Sequence, residues 1–310
     1  MSNRVSILKA AILPEKTTAE LTARFHVHEL PQDASSRDEF FHAFGPEIRG
    51  IAVRKTYIDR AFIDGLPRLE IIASYSAGLE NVDVAYAQSR GIRITNTSHI
   101  LAEEVANLGL GLVLSLTRGI VAGHAFVQTG RWERGSFPLG RSVRGMRVGI
   151  VGLGHIGAAL ALRLEMLGAR IAYTGPRPKD VDYTFHADIL SLARWSEVLV
   201  LTCPLTPETR GLIGREVIEC LGPQGYLVNI ARGGVADERV LIEALASNSI
   251  AGLALDVFQG EPHVPEALRA DPRVVLTPHI GSGTVETRLR MGDAVVDALS
   301  AHFGLPPVER

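Results

Sequence analysis

The sequence predicts an α/β protein of two doubly wound domains with parallel sheets, one domain inserted into the other. Three observations point there. The 310 residues, 46% hydrophobic and 21% charged, suffice for two domains that each bury a core. Two segments each alternate short apolar runs with polar helical stretches, the pattern of a parallel sheet covered on both faces. A further helical stretch follows the second segment and can return to the first.

The first segment runs from Val5 to Thr97, with strands expected at Val5–Leu13, Arg24–Leu30, Gly50–Val53, Leu69–Ser74 and Arg93–Thr95. It carries no glycine-rich phosphate signature. Glu103 to Val127 reads as one long helix with Val105, Leu108, Leu112, Leu116 and Ile120 on its apolar side. The second segment places strands at Val148–Val151, Arg170–Thr174, Val198–Thr202, Gly225–Ile230, Gly252–Leu255 and Val274–Thr277. Such near-continuous apolar runs read as strands buried on both faces. Thr284 to Phe303 reads helical and is expected to cross back to the first segment. The expected division is a discontinuous domain of residues 1–98 plus 285–310 and an inserted domain of 99–284.

A net charge of −2 argues against a nucleic-acid footprint, which needs a basic face. Two cysteines, Cys203 and Cys220, form neither a disulfide framework nor a metal-ligand spacing, so no metal and a reducing compartment are expected. Met1 to Pro14 lacks the basic start and cleavage site of a secretory leader, and a first strand is the better reading. No apolar stretch is expected to reach the ~20 residues of a membrane helix. Leu108 to Leu116 is too short and reads as a buried helix. Together these predict a cytoplasmic protein without a membrane partner.

Arg147 to Gly157 is a buried strand running into the pattern G-x-G-x-x-G at Gly152, Gly154 and Gly157, followed by the helical stretch Ala158 to Leu167. Gly152 permits a tight turn, Gly154 lets the backbone approach a pyrophosphate, and Gly157 lets helix and strand pack closely. His155 and Ile156 open a helix whose free amides and dipole favour phosphate. Strand, loop, helix and second strand in that order predict a Rossmann-like dinucleotide site. Choice of dinucleotide falls to the end of the second strand, where a carboxylate would accept from a ribose 2′-hydroxyl. Here Thr174 and Gly175 lead to Pro176, Arg177, Pro178 and Lys179, with no acid before Asp180. Arg177 and Lys179 suit a 2′-phosphate, so NADP (as NADPH) is the expected cofactor.

Three ionisable residues follow successive C-terminal strands: Arg232, Glu261 and His279. Ligands of open α/β sheets bind at the carboxyl ends of strands. Reduction of a 2-oxo acid requires a cation for the carboxylate and a proton donor for the developing alkoxide. An arginine fork and a histidine supply these, and a neighbouring carboxylate favours the imidazolium.

Asn229-Ile-Ala-Arg232-Gly-Gly, Ala254 to Pro262, and Thr277-Pro-His279-Ile-Gly-Ser282 resemble the D-isomer-specific 2-hydroxyacid dehydrogenase family. The resemblance spans nearly the whole chain. Gly130-Arg-Trp132, Phe137-Pro-Leu, Glu261-Pro-His-Val-Pro-Glu and Gly281 to Arg288 are most similar to its glyoxylate/hydroxypyruvate reductases. The resemblance implies that NADPH reduces glyoxylate or hydroxypyruvate, with Arg232 binding substrate, Glu261 orienting His279, and His279 donating the proton. It implies that Ser76, Ala77 and Gly78 hold the substrate carboxylate in the 1–98 plus 285–310 domain. Cys203, Pro204, Thr209, Ile230, Ala231 and Asp256 would line the cofactor, and Ser282 would lie beside substrate and cofactor. Trp132 would reach the active site of the other subunit of a homodimer, whose interface the long helix would join. Domain closure would exclude water.

Two positions depart from the family pattern: Ala77 where valine is common, leaving a roomier wall, and His155 where arginine is common, which puts one phosphate contact in doubt. His26, His28, His42, His124, His186 and His302 lack partner spacing and read as surface or packing residues. His99, before the long helix, could approach the cofactor. Cys203 has no neighbour that would activate a thiolate. Competing readings are a non-catalytic NAD(P)-sensing protein that recruits partners, and phosphoglycerate dehydrogenase. The intact Arg, Glu and His set, and a chain ending at Arg310 without a regulatory domain, argue against them.

Overall fold

The computed structural model describes residues 4–33 and 35–307. The chain forms two compact units, Met1–Leu101 with Thr284–Arg310, and Ala102–Gly283. Residues 1–3 and 308–310 of the expected first domain fall outside the described residues.

The first unit is built on a five-stranded sheet in the order β2-β1-β3-β4-β5, all parallel. Its strands are β1 (Ser6–Ala10), β2 (His26–Glu29), β3 (Ile48–Val53), β4 (Ile71–Ser74) and β5 (Arg93–Thr95). Helices α1 (Glu15–Arg24), α2 (Ser35–Phe44), α3 (Arg60–Asp64) and α4 (Val84–Ser89) join them. Three strand expectations shorten, β4 starting at Ile71 rather than Leu69. Leu13 leaves β1 and packs as a buried loop residue, and Arg24 belongs to α1, whose backbone continues until Phe25 turns extended. Asp59 and Asp83 cap α3 and α4 by accepting from the amides of Phe62 and Tyr86.

Helix α5 (Ser98–Arg118) and helix α6 (Ile120–Gln128) replace the single helix expected from Glu103 to Val127. The start is earlier because the Asn96 side chain accepts from the Ser98 amide, a cap signal sitting ahead of the apolar run. The break is at Gly119, whose φ of 63° is left-handed and cannot continue a helix. Apolar periodicity passes through such a break unaltered, so the pattern alone reads as one helix. Contrary to the expectation that no apolar stretch would reach the length of a membrane helix, the 21-residue α5 is long and apolar enough, by length and composition, to cross a membrane. Its packing is that of a core helix: a Cβ at Gly109 would meet the side chains of Ile230 and Leu160 at 2.7 and 3.3 Å.

The second unit carries a seven-stranded parallel sheet in the order β12-β11-β10-β9-β6-β7-β8. Its strands are β6 (Arg147–Val151), β7 (Arg170–Thr174), β8 (Thr184–Phe185), β9 (Val198–Leu201), β10 (Tyr226–Asn229), β11 (Gly252–Leu255) and β12 (Val274–Leu276). The two-residue edge strand β8 was not expected, since it is too short and polar to register as an apolar run. Helices α7 (His155–Met166), α8 (Ile189–Trp195), α9 (Arg215–Leu221), α10 (Glu238–Ala246) and α11 (Glu266–Ala270) connect the strands. β9 and β11 are buried along their whole length, as strands covered on both faces must be. The last helix, α12 (Val285–His302), is capped by Thr284 and packs on α1 and β4 of the first unit.

Two histidines read as bland have acidic partners. His28 is buried with Nε2 3.1 Å from Glu47, and His302 Nε2 lies 3.3 Å from Glu70. Both pairings join residues far apart in sequence, so no local spacing could reveal them.

Candidate active site

Strands β10, β11 and β12 are adjacent in the sheet and run parallel, so their carboxyl ends open on one edge of the second unit. Arg232, Glu261 and His279 each lie on the loop that leaves one of these strands. The loop after β10 is shaped by Asn229, a buried residue whose side chain accepts from the Ala231 amide and donates to the Arg232 carbonyl. This Asx-type turn directs the chain outward at Arg232, whose half-buried guanidinium donates to the Ala231 carbonyl. At Gly233 a Cβ would stand 2.0 Å from the Phe258 carbonyl carbon, so only glycine lets this turn lie against the turn that carries Glu261.

Glu261 is held at both carboxylate oxygens. Oε1 accepts from the Phe258 amide at 3.1 Å, and Oε2 lies 2.7 Å from His279 Nδ1. The side chains are 30% and 45% exposed, so the pair sits at a surface open to a ligand. With Nδ1 engaged by the carboxylate, Nε2 is the nitrogen presented outward.

His279 has φ of 53°, in the left-handed region, a conformation costing on the order of 1–2 kcal/mol for a residue with a Cβ. Asp256 holds it there. Its carboxylate, 2% exposed, accepts from the Thr277 hydroxyl (2.7 Å), the Ile280 amide (2.8 Å) and the Gly281 amide (2.9 Å). Burial pushes the Asp256 carboxyl above the usual range, and the three hydrogen bonds oppose that shift. Asp256 is therefore the anchor of the His279 loop, with both oxygens engaged within the protein. Ser282 is half-buried at the end of that loop.

The glycine loop lies on the same sheet, between β6 and α7. Gly152 has φ of 95°, and a Cβ there would meet the Cys203 backbone at 2.8 Å, so the loop packs directly on Cys203. A Cβ at Gly157 would lie 2.3 Å from the Gly152 carbonyl oxygen and 2.8 Å from Thr202 Oγ1. Thr202 in turn donates to that carbonyl at 2.6 Å. At Gly154, by contrast, a Cβ would meet nothing within 4 Å. Backbone is thus exposed to open space at the amino end of a 12-residue helix, with His155 exposed and Ile156 half-buried on its first turn. These features fit a dinucleotide pyrophosphate.

Thr174 ends β7, and the following turn folds back so that the Lys179 amide donates to the Tyr173 hydroxyl at 2.7 Å. Arg177 and Lys179 are exposed on this turn. Pro204 is exposed, while Ile230 and Ala231 are buried beside the β10 exit. The Thr209 hydroxyl closes the 204–209 loop, donating to the Pro204 carbonyl and accepting from the Thr206 amide. Cys203 is 8% exposed, and burial pushes its thiol up to about 11, which keeps it protonated at neutral pH.

Ser76, Ala77 and Gly78 belong to the first unit, on the loop leaving β4. Ser76 Oγ donates to the Arg54 carbonyl, and Asn96 donates to the Ala77 carbonyl. Among the described residues the Ala77 and Gly78 amides make no such bond, leaving two donors on a half-buried loop. His99 is exposed at the start of α5 and borders a small crevice of the same unit with Ser74, Asn96 and Asp297. Trp132, in the 3-10 turn Arg131–Arg134 of the second unit, is 66% exposed. Sequence reasoning missed Asn229, Thr277 and the anchoring part played by Asp256. Asn229 was legible in principle as an Asx residue ending an apolar run; the other two depend on long-range pairing.

The protein-family model for the D-isomer specific 2-hydroxyacid dehydrogenase, NAD binding domain, matches residues 110–281. Hydroxyphenylpyruvate reductase of Plectranthus scutellarioides is 43% identical over 291 residues, 93% of each chain. The chain belongs to the D-isomer-specific 2-hydroxyacid dehydrogenase family. A glyoxylate/hydroxypyruvate reductase of Arabidopsis thaliana is 46% identical over 246 residues, 79% of each chain. Among solved structures, the NADPH-dependent glyoxylate/hydroxypyruvate reductase of Sinorhizobium meliloti, in complex with NADP and malonate, superposes with a TM-score of 0.87. It is 38% identical, with 99% of this chain and 97% of that one covered. The two-sheet α/β fold is that of this family, and its close relatives are reductases of 2-oxo acids.

The anchoring geometry makes a direct prediction. Asp256→Asn turns one acceptor into a donor facing amide hydrogens and should cost about 1–3 kcal/mol of stability. kcat should fall at least tenfold through the His279 loop, and thermal unfolding with steady-state kinetics would measure both. Wild-type values in both would show that the loop does not depend on this carboxylate.

Proposed function

We propose that this chain is an NADPH-dependent reductase of small 2-oxo acids, with glyoxylate and hydroxypyruvate as the expected substrates and glycolate and D-glycerate as products. The observation that carries the reading is the 2.7 Å Glu261–His279 pair on a loop fixed by Asp256. A bound dihydronicotinamide supplies the hydride. Arg232 binds the substrate carboxylate and polarises its ketone; on the first unit the Ala77 and Gly78 amides, with Ser76, are donors suited to a carboxylate. Glu261 engages His279 Nδ1 and orients the ring, and His279 gives its Nε2 proton to the developing alkoxide. Ser282 lies beside substrate and cofactor.

The Gly152–Gly157 loop and the start of α7 hold the pyrophosphate, and the β7 exit sets cofactor choice. Two exposed cations with no acid before Asp180 favour a 2′-phosphate over a bare hydroxyl. Malonate in the Sinorhizobium meliloti complex is a small dicarboxylate, of a size with the substrates proposed.

The proposal extends to a homodimer in which Trp132 reaches the partner's site. Support comes from an exposed apolar run: Ile120, Val121, Val127 and Trp132 are 54%, 50%, 55% and 66% exposed, and Leu139 is wholly exposed. Apolar surface of this kind on one segment marks an association face.

Three outcomes test the reading. His279→Ala should lower kcat/KM for glyoxylate by about 10²–10⁴-fold, the usual contribution of a general acid, and near-normal turnover would refute the assignment. The wild-type protein should prefer NADPH, and Arg177→Ala should raise the NADPH KM about tenfold with little change for NADH. A clear preference for NADH would sink the cofactor choice while leaving the reaction standing. Sedimentation should find a dimer whose Trp132→Ala variant loses activity; a fully active monomer would overturn the shared site.

A further inference from the structure

We propose that the first unit binds one divalent transition-metal ion, Zn2+ in the first instance, through His26, His28 and Glu47. The inference is independent of the reductase reading. His26 and His28 are two residues apart on the edge strand β2, so both side chains leave the same face. Their ring centroids are 4.6 Å apart. Glu47 ends the 3-10 turn Gly45–Glu47 that leads into β3. One ligand atom from each of the three lies within 4.8 Å of the others.

A second observation points to a ligand. His28 is 8% exposed and packs against Phe40 and Phe44, yet its buried Nε2 has no hydrogen-bond partner. Glu47 Oε1 stands 3.1 Å from that nitrogen without the geometry of a hydrogen bond. Buried polar atoms are ordinarily satisfied, and one left over marks an unaccounted partner.

The donor set suits zinc, which takes imidazole nitrogen and carboxylate oxygen at about 2.0–2.2 Å in tetrahedral geometry. Two ligand atoms on such an ion stand about 3.3 Å apart, close to the His28–Glu47 spacing. His26 is exposed, and water would take the fourth position. The ion would tie edge strand β2 to the turn before β3, which β1 separates in the sheet. Hard, oxygen-preferring cations are a poorer match for two imidazoles.

The experiment is a Zn2+ titration against a chromophoric chelator, made in a His279→Ala background so that the second histidine–carboxylate pair does not compete. One ion per chain is expected. His26→Gln and Glu47→Gln should each weaken binding at least tenfold, whereas His42→Gln, on the exposed side of α2, should not. Zn2+ should also raise the unfolding midpoint of the background protein but not of its His26→Gln variant. Absence of binding, or equal affinity in the His26→Gln and Glu47→Gln proteins, would overturn the site. Because His26 is exposed, its variant retains the core and a loss of binding is not a loss of fold.

Discussion

The Asp256 carboxylate is buried at the end of β11 and satisfied by one hydroxyl and two backbone amides from the chain after β12. A carboxylate taken out of water is costly unless hydrogen bonds replace its hydration. Here those bonds come from the residues flanking His279, so the solvation demand of one side chain fixes the path of another loop. That path includes a left-handed histidine, a conformation a free loop would not hold. The Glu261 contact follows from it, because the imidazole must be displayed at one place for Oε2 to reach Nδ1 at 2.7 Å.

The same logic recurs at the other loop ends of the sheet. Asn229 satisfies the Ala231 amide and turns the chain at Arg232, and Gly233 lets that turn touch the Phe258 backbone. Gly152 and Gly157 let the phosphate loop lie against Cys203 and Thr202. In each case a buried polar group or a missing Cβ aligns a loop against its neighbour. The parallel sheet brings the loops to a common edge, and these small devices give each a single conformation.

The first unit has a different economy. Its sheet is shorter, and its β4 loop offers amides rather than charged side chains. Sequence-distant pairs, Arg49 with Glu70, His302 with Glu70 and His28 with Glu47, bind its periphery. α12 closes it from the far end of the chain, burying Val295, Val296 and Leu299. Burial of side chains of this kind contributes on the order of 1.5–3 kcal/mol each.

The parallel α/β architecture, the glycine loop and the strand-end position of Arg232, Glu261 and His279 were legible because each rests on local signals. Buried strands are continuous apolar runs, and a glycine pattern is read within one strand–turn–helix. Helix limits were less legible: α5 starts at the Asn96 cap and stops at Gly119, while apolar periodicity continues through both. The parts played by Asp256 and Thr277 were decided only by tertiary structure. Their partners lie tens of residues away, and no spacing along the chain encodes a hydrogen bond between loops that meet only after the sheet has formed.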